Sequence, residues 1–434
     1  MQTKSWGIVG GGMMGMTLAY RLAQQGHKVT IYEAAPELGG LVSPWKMNGV
    51  EWDKFYHVIL LSDAWTRSIL KDIGLDEKIE WVETKTGFYI NGKLYSMSDT
   101  IEFLKFPTLN LIDKFRLGLT ILVASKIKNW KRLEKVPVTT WLKRWSGKRT
   151  FNKIWLPLLK VKLGESYQRT SAVFIWATIQ RMYGARRSGL KREMFGYVPG
   201  GYKEVIKSFK EKLLAANVTI KTSCPVTAIN TVNGKPVINS KDGSAETFDE
   251  VIVTLPSDMA ARLCSGLTTT EVERLKDIEY LGVICVAVLL DKPISPFYVT
   301  NITDSRFPFT GIIEMSALVD KKYLGGHSLV YLPKYVTAGD PLFDQPDEQL
   351  RDFFMDNLKK MYPWITDDNI KFAGVARAKH VITVARLDYS EKLPGVKTSI
   401  PGISIINTSH IKDGTLNVNE TIRVAETKLE EILS

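Results

Sequence analysis

The amino-acid sequence predicts an α/β protein, because short buried strands alternate with amphipathic helices at both ends of the chain. Residues 6–9 form an apolar strand, a helix-period stretch runs from residue 13 to about residue 25, and residues 29–32 alternate like a second strand. Near the other end, a strand at residues 403–407 runs into a polar glycine loop, and a helix starts near Asn417. This alternation favours a parallel sheet covered by helices.

The glycine cluster after the first strand has the spacing of a dinucleotide-binding turn. Gly10 allows a tight turn, Gly12 lets the backbone approach a pyrophosphate, and Gly15 lets helix and strand pack closely. Met13 and Met14 open the helix, whose first amide groups and positive dipole end point towards the phosphates. The sequence therefore predicts nucleotide binding at this helix N-terminus.

A carboxylate follows the second strand at the position where a ribose is held. Glu33 lies about 20 residues beyond the glycines, and Ala34 follows it. Its negative charge disfavours a 2′-phosphate, so NADP is the nucleotide that fits least. The chain then continues to a second glycine pair, Gly39 and Gly40, ahead of Leu41.

From residue 6 to residue 40 the chain resembles the flavoprotein superfamily of monoamine and polyamine oxidases, protoporphyrinogen oxidase, phytoene desaturases and UDP-galactopyranose mutase. The resemblance implies a Rossmann-like, glutathione-reductase-type domain that binds extended FAD, with an inserted α+β substrate domain and a helical lobe. Leu41 stands where many members carry arginine, so no charge contact is expected there. The C-terminal part has no cysteine in the pattern that links flavin covalently, and we expect non-covalent FAD.

The chain of 434 residues is long enough for several cores, and we expect three parts. The FAD-binding domain is expected to combine residues 1–62, 195–265 and 390–434. A helical basic lobe is expected at residues 63–194, and a mixed α+β substrate-binding domain at residues 266–389.

Positive charge is concentrated in one region. The chain carries a net charge of +12, and residues 101–200 hold 21 Lys and Arg against five Asp and Glu. Tryptophan and leucine interleave with these cations at helical spacing, which fits a surface that lies on anionic lipid. A solvated basic face over an ordinary helical core explains the pattern equally well. Because no nucleic-acid-binding motif accompanies the charge, we expect no nucleic-acid partner.

The cysteines and the first residues of the chain indicate the cellular compartment. Cys224, Cys264 and Cys285 are odd in number and lack metal-ligand spacing, so we expect free thiols, a reducing compartment and no metal site. Residues 1–5 lead directly into the first strand, which leaves no place for a signal peptide. We therefore expect a cytoplasmic protein that could also bind peripherally to the inner face of the membrane.

Three residues are candidates for catalysis. His57, beside Tyr56, follows the second glycine pair, where the family's chain passes the flavin, and could orient substrate or exchange a proton. Lys162 is a candidate for substrate contact, although family oxidases carry their flavin-side lysine on a later strand. His410 lies in the C-terminal loop. The alternatives are a core histidine at position 57 and a solvated surface lysine at position 162.

The resemblance also implies residues that line the cofactor elsewhere in the chain. Val226 maps to the adenine contact, and Thr254 and Pro256 end a strand that runs beside the cofactor, with a packed strand end as the alternative reading. Asn407 replaces the aspartate that often contacts the ribityl chain. The flavin end is expected to be lined by Tyr56, His57, His410, Asp413, Gly414 and Asn417.

Three basic residues follow the helix of the substrate domain. Arg377, His380 and Arg386 could hold an anionic group of the substrate, and structural ion pairs explain them equally well. The strand at residues 281–290 contains no lysine, so amine oxidation through a lysine-bound water is not expected.

The expected function is that of an FAD-dependent oxidoreductase, which oxidises or desaturates a hydrophobic or lipid-linked substrate by hydride transfer to flavin N5. Since no second G-x-G-x-x-G unit follows, electrons are expected to come from the substrate and to leave to oxygen, a quinone or another acceptor. Two alternatives stay open: a non-redox flavoenzyme resembling UDP-galactopyranose mutase, and a membrane-associated flavin-binding protein without turnover.

Overall fold

The computed structural model describes residues 2–98, 100–184, 193–304 and 306–434. Its strands are β1 Ser5–Val9, β2 Lys28–Tyr32, β3 Pro44–Met47, β4 Val50–Asp53, β5 Ile59–Leu60, β6 Glu80–Thr84, β7 Thr86–Ile90, β8 Lys93–Ser96, β9 Glu193–Tyr197, β10 Thr219–Lys221, β11 Val226–Val232, β12 Lys235–Ser240, β13 Ala245–Thr247, β14 Glu250–Val253, β15 Tyr280–Leu290, β16 Val299–Ile302, β17 Gly311–Glu314, β18 Ser328–Thr337, β19 Ile370–Thr383 and β20 Ile403–Ile405. Its helices are α1 Met13–Gln24, α2 Ala64–Asp72, α3 Thr100–Lys105, α4 Leu111–Lys126, α5 Lys131–Glu134, α6 Val138–Thr150, α7 Leu156–Leu163, α8 Val173–Gly184, α9 Tyr202–Ala215, α10 Ser257–Leu263, α11 Thr269–Lys276, α12 Asp347–Met361, α13 Tyr389–Lys392 and α14 Val418–Leu433.

A parallel five-stranded sheet brings the two ends of the chain together. Its order is β10-β2-β1-β14-β20, and every neighbouring pair is parallel. Ile8 pairs with both Ile31 and Ile252, and all three side chains are buried. Helices α1, α9 and α14 supply apolar side chains to the core that packs on this sheet. The predicted α/β fold is confirmed, and the sheet presents the carboxyl ends of β1 and β14 at one edge.

A second sheet contains seven strands. Its order is β19-β15-β18-β17-β16-β7-β8, and every residue of β15, which lies between β19 and β18, is buried. Residues 86–96 therefore enter this sheet as β7 and β8, and residues 80–84 pair with β9 as β6. The expectation that residues 63–194 form a wholly helical lobe is wrong at these strands.

The helical lobe itself is built from α3 to α8. Its core gathers large side chains that include Trp141, Phe151 and Trp155. Gly147 breaks the helical backbone of α6 with φ of 82°, and the Arg116 guanidinium donates to the Trp145 carbonyl across this break. Within the described ranges, no helix has both the length and the apolar character needed to cross a bilayer.

Candidate cofactor and substrate site

The glycine loop between β1 and α1 brings the helix backbone against the strand. The Gly10 amide donates to the Tyr32 carbonyl at 2.8 Å, and Gly10 takes φ of 110°, which favours glycine. A Cβ added at Gly15 would lie 1.9 Å from the Gly10 carbonyl oxygen, so only glycine lets α1 pack here. A Cβ added at Gly12 would meet nothing nearer than the Gly39 carbonyl oxygen, at 4.0 Å. The space above Gly12 is open, as a bound diphosphate requires.

The second glycine pair forms part of the same loop. The Gly39 amide donates to the Gly11 carbonyl at 2.9 Å, and Gly12 pairs with Gly39 in a parallel bridge. Gly39 and Gly40 take φ of 126° and 58°. The sequence pointed to the pair itself, but its docking onto the first loop is a long-range contact that spacing does not encode.

The donors and acceptors at this loop fit a nucleotide diphosphate. No side chain caps α1 at Gly12, and no acidic residue lies in its first turn, so the first amides face the open space. Glu33 accepts hydrogen bonds from the amides of Gly11 at 2.7 Å and Ala35 at 2.8 Å. These bonds fix the Glu33 carboxylate beside the loop. Ala34 lies in the chain between Glu33 and Ala35. The contact of Glu33 with ribose stays a prediction.

The strand ends predicted to line the cofactor lie around this loop. Val226 begins β11 and packs, partly buried, against a core that contains Tyr32 and Val253. The Thr254 hydroxyl donates to the Val9 carbonyl at 3.0 Å, so it tightens the sheet edge. Pro256 is the N-cap of α10. Their contacts with a cofactor stay predictions.

The Asn407 side chain is hydrogen-bonded to neighbouring residues of the protein. Its amide nitrogen donates to the Leu255 carbonyl at 2.9 Å and to the Ser257 hydroxyl at 3.2 Å. Its amide oxygen accepts from the amide and the hydroxyl of Ser409 at 3.0 and 2.7 Å, and the residue is 1% exposed. Because these partners fill the hydrogen-bonding capacity of the side chain, the ribityl contact stays a prediction without geometric support.

The other C-terminal residues gather at the start of α14. Asn417 caps this helix by accepting from the Glu420 amide at 3.0 Å. Asp413 forms an ion pair with Arg423 at 2.5 Å, which balances its charge. Gly414 lies against Glu420, whose carboxylate oxygen would be 2.7 Å from an added Cβ. The structure brings these three residues together, and their contact with flavin stays a prediction.

His410 is a buried structural residue. Burial lowers its pKa to about 4, so the imidazole is neutral at physiological pH. Its Nδ1 lies 3.3 Å from the Asn407 amide nitrogen, which donates to it. This buried, neutral ring stabilises the turn at Asn407, and its catalytic role stays a prediction without geometric support.

His57 and Tyr56 lie between the two sheets. His57 Nδ1 is 3.7 Å from the buried Asp53 carboxylate, and the ring packs edge-on to Tyr202 with centroids 5.1 Å apart. The Tyr56 and Tyr335 hydroxyl groups are hydrogen-bonded at 2.6 Å. Burial raises the pKa of Tyr56 well above its usual value, so both phenols stay neutral. The catalytic role of His57 stays a prediction.

Lys162 lies on α7 beside strand β18 of the second sheet. Its Nζ is 5.4 Å from the centroid of the Tyr335 ring, which ties Lys162 to the Tyr56–Tyr335 pair. The side chain is exposed, yet surrounding protein desolvates the ammonium group and lowers its pKa. We infer that it borders a recess open to water, called the cavity below. The choice between substrate contact and a solvated surface lysine stays a prediction.

A second cation lies near Lys162. The positive charge of Arg181 adds to the lowering of the Lys162 pKa, and Arg181 is paired at 3.2 Å with the buried Asp63. Among the described residues, no carboxylate lies within ion-pair distance of Lys162. This side of the cavity therefore carries one uncompensated positive charge. Sequence reasoning missed Arg181, although a single arginine in the apolar run of α8 is an unusual pattern that could have found it.

The three predicted anion-binding residues are engaged elsewhere. Arg377 pairs with Asp347, and Arg386 pairs with Asp277. His380 Nε2 lies 3.1 Å from Asp258. The structural ion pairs weighed above are therefore present, and substrate binding by these three residues stays a prediction without geometric support.

The parallel sheet, the uncapped α1 and the glycine loop define a dinucleotide-binding protein. The chain matches the family model for flavin containing amine oxidoreductases over residues 13–391. The chain belongs to this family, and its cofactor is FAD.

Curated relatives agree with this family. Protoporphyrinogen oxidase 2 of Arabidopsis thaliana is 30% identical over 115 residues, which cover 26% of this chain and 23% of that protein. The 15-cis-phytoene desaturase of Capsicum annuum is 20% identical over 417 residues, which cover 89% of this chain and 69% of that protein. The match to the first of these proteins thus spans less than a quarter of its length.

Solved structures share the fold over the whole chain. A putative protoporphyrinogen oxidase from Exiguobacterium sp. 255-15 superposes with a TM-score of 0.77 at 18% identity, covering 100% of this chain and 99% of that one. A reduced UDP-galactopyranose mutase gives a TM-score of 0.74 at 16% identity, covering 99% and 96%. At these identities the likeness establishes the fold alone.

Two glycine substitutions should separate folding from cofactor binding. Gly12→Ala places its methyl group in open space, so we expect an unchanged melting temperature and FAD affinity at least about tenfold weaker. Gly15→Ala drives its methyl group into the Gly10 carbonyl, and we expect a loss of about 2–4 kcal/mol of stability. Thermal unfolding and FAD titration of both apoproteins check this. Equal destabilisation by the two variants would contradict it.

Protonation of His410 should contribute to acid unfolding. Because its folded pKa of about 4 lies below the ordinary value of 6.5, the unfolded chain takes up the proton first. Stability is then lost as the pH falls from 6.5 towards 4, by about 3 kcal/mol at most. His410→Asn keeps an acceptor for the Asn407 amide and removes the titration. Denaturant unfolding from pH 7 to pH 4 should show a shallower decline for the variant, and equal slopes would contradict this role.

Proposed function

We propose that this protein uses FAD to oxidise or desaturate a hydrophobic substrate that carries an anionic group, with Lys162 as the contact for that anion. The observation that carries the proposal is the uncompensated ammonium group in the cavity. A desolvated cation without a counterion is costly, and a substrate carboxylate or phosphate would offset that cost on binding.

The walls of the cavity favour an apolar substrate body. Tyr56 and Tyr335 contribute aromatic surface, and burial raises the pKa of both, so the phenols bring no charge. Aromatic and aliphatic lining with few polar groups is typical of sites that hold hydrophobic ligands. The combination with Lys162 suits an amphipathic acid better than a simple amine, whose cation it would repel.

The cofactor and the surrounding side chains have different roles in the proposed reaction. Bound FAD supplies the acceptor for a hydride from a substrate C–H bond. Lys162 holds the anionic end, while Tyr56 and Tyr335 orient the apolar body and exclude water. His57 is the candidate to accept the proton that leaves the neighbouring carbon in a desaturation. The electron pair then passes to an acceptor such as oxygen or a quinone.

A visible absorption spectrum followed by anaerobic titration tests the redox proposal. The holoprotein should show flavin absorption, and an unsaturated long-chain carboxylic acid should bleach it without another reductant. Bleaching by primary amines of equal chain length, and not by acids, would contradict the substrate class. A spectrum that only dithionite bleaches would favour the alternative of a flavin-binding protein without turnover.

Removing the positive charge of Lys162 should weaken the binding of carboxylic acids but not that of their esters. Lys162→Met should raise the KM for a carboxylic acid about 10–100-fold, the range expected for one lost charge-assisted hydrogen bond, and leave its methyl ester unaffected. Lys160→Met, two residues away on the exposed side of α7, is the matched control and should change neither. Equal losses for acid and ester would assign Lys162 a packing role.

The KM for an acid should also depend on pH. Since burial and Arg181 lower the pKa of Lys162 below 10.5, acid binding should weaken as the pH rises through a range below that of an ordinary lysine. Steady-state kinetics of the acid and its ester between pH 7 and pH 10 checks this. The weakening should vanish in Lys162→Met, and a pH-independent KM in the wild type would contradict it.

The non-redox alternative has a distinct signature. A reaction of the mutase type would require reduced flavin yet consume no net electrons. Activity that appears only after chemical reduction of the flavin, with no oxidised product, would replace the oxidoreductase proposal.

A further inference from the structure

Helix α4 of the helical lobe presents apolar side chains to its outer face. Leu111, Ile112 and Phe115 are 74%, 70% and 71% exposed. Leu122 is also exposed on this helix, and Lys126 ends it. Positions 111, 115, 122 and 126 fall on one side at the helical repeat. Large apolar residues at this exposure, adjacent to one another, form a patch that monomeric proteins rarely leave in water.

The inner face of α4 mixes polar and apolar side chains. Asp113, Lys114 and Thr120 are buried there together with Leu117 and Ala124. Asp113 accepts from the Thr150 hydroxyl at 3.3 Å, and the Thr120 hydroxyl is hydrogen-bonded to that of Ser146 at 2.8 Å. Apolar side chains therefore lie on both faces of α4, inside the lobe and on its surface.

The apolar face continues onto α3. Leu104 is 52% exposed, and the Lys114 ammonium group donates to the Leu104 carbonyl at 2.5 Å, which fixes α3 against α4. We define the α3–α4 surface as Leu104, Leu111, Ile112, Phe115 and Leu122.

Cations surround this surface. Helix α6 packs against α4, and the Arg116 guanidinium spans the two helices by donating to the Arg144 carbonyl at 3.1 Å. The exposed basic residues lie on α3, on α5, on α6, and at the C-terminal end of α4 or just after it; they are Lys105, Lys126, Lys128, Lys131, Arg132, Lys143, Arg144, Lys148 and Arg149. An apolar patch with a basic rim is complementary to a bilayer with anionic headgroups.

We propose that the α3–α4 surface docks on an anionic lipid bilayer, with α4 lying in the plane of the interface. The charges favour this occupant over a second copy of the chain, because a twofold interface would place the two basic rims face to face. The docking is independent of flavin turnover, and its test measures lipid binding alone.

Docking would also bring the cavity close to lipid. Helix α8 packs on α4, where the Gln180 side chain donates to the Ala124 carbonyl at 2.7 Å, and the next residue of α8 is Arg181 of the cavity wall. A hydrophobic acid drawn from a bilayer would then cross a short path. This last step rests on the proposed function, whereas the docking itself does not.

Vesicle sedimentation of the holoprotein tests the docking. Vesicles of neutral phosphatidylcholine with about a third phosphatidylglycerol should bind the protein at least tenfold more tightly than neutral vesicles at low salt. The variant Leu111→Ser/Ile112→Ser/Phe115→Ser should bind at least tenfold more weakly. The neutralised variant Lys126→Gln/Lys128→Gln/Lys131→Gln/Arg132→Gln should lose affinity at low salt and differ little from the wild type at high salt, where screening removes the charge contribution.

A matched control uses three exposed apolar residues on other faces. Leu214→Ser/Val232→Ser/Phe353→Ser removes comparable surface and should bind vesicles like the wild type. Melting temperatures and flavin content confirm that every variant is folded. No sedimentation of the wild type with anionic vesicles at low salt would overturn the proposal. So would a dimer that the α4 variant dissociates, with no change in lipid binding.

Discussion

The structure depends on the contact between the backbone of α1 and the end of β1. At Gly15 the helix lies so close to the Gly10 carbonyl that no side chain fits between them. This approach aims the uncapped start of α1 at the sheet edge and leaves the space over Gly12 open. The Gly39 amide closes the same loop from the other side. A site for two phosphates follows from these backbone contacts, with no charged side chain in the first turn of the helix.

The parts of the fold that local patterns encode could be predicted from the sequence. The β1-α1-β2 unit, the fully buried strand β15 and the N-cap of α14 at Asn417 all depend on residues close together in the chain. The entry of β7 into the second sheet could not be predicted, because it pairs with β16 more than 200 residues later. Pairing at that distance is decided by tertiary packing, and a short alternating run between helical patterns gives no sign of its partner.

The candidate site shows the same division. Spacing alone identified Gly10, Gly12, Gly15 and Glu33, because the backbone of a tight turn dictates residue type. The roles of side chains were harder to predict from the sequence. Asn407 was expected to face the cofactor, but Ser409 and Ser257 fill its hydrogen bonds, and residue identity does not reveal which neighbours compete for an amide. Lys162 was expected to contact substrate or to lie on the solvated surface, and only the fold around α7 shows that neighbouring protein desolvates its exposed side chain.

The exposed apolar side chains of α4 and the unpaired cation of Lys162 have the same physical explanation. Each leaves a group without a good partner: apolar side chains in water, and a desolvated ammonium group without a counterion. Such arrangements cost stability unless something binds there, so they persist where a ligand offsets the cost. Because α8 lies between them, with Gln180 bonded to α4 and Arg181 at the cavity, one helix connects the two. An amphipathic acid has the chemistry to satisfy both, since its apolar body suits the bilayer and the aromatic wall while its anionic end suits Lys162.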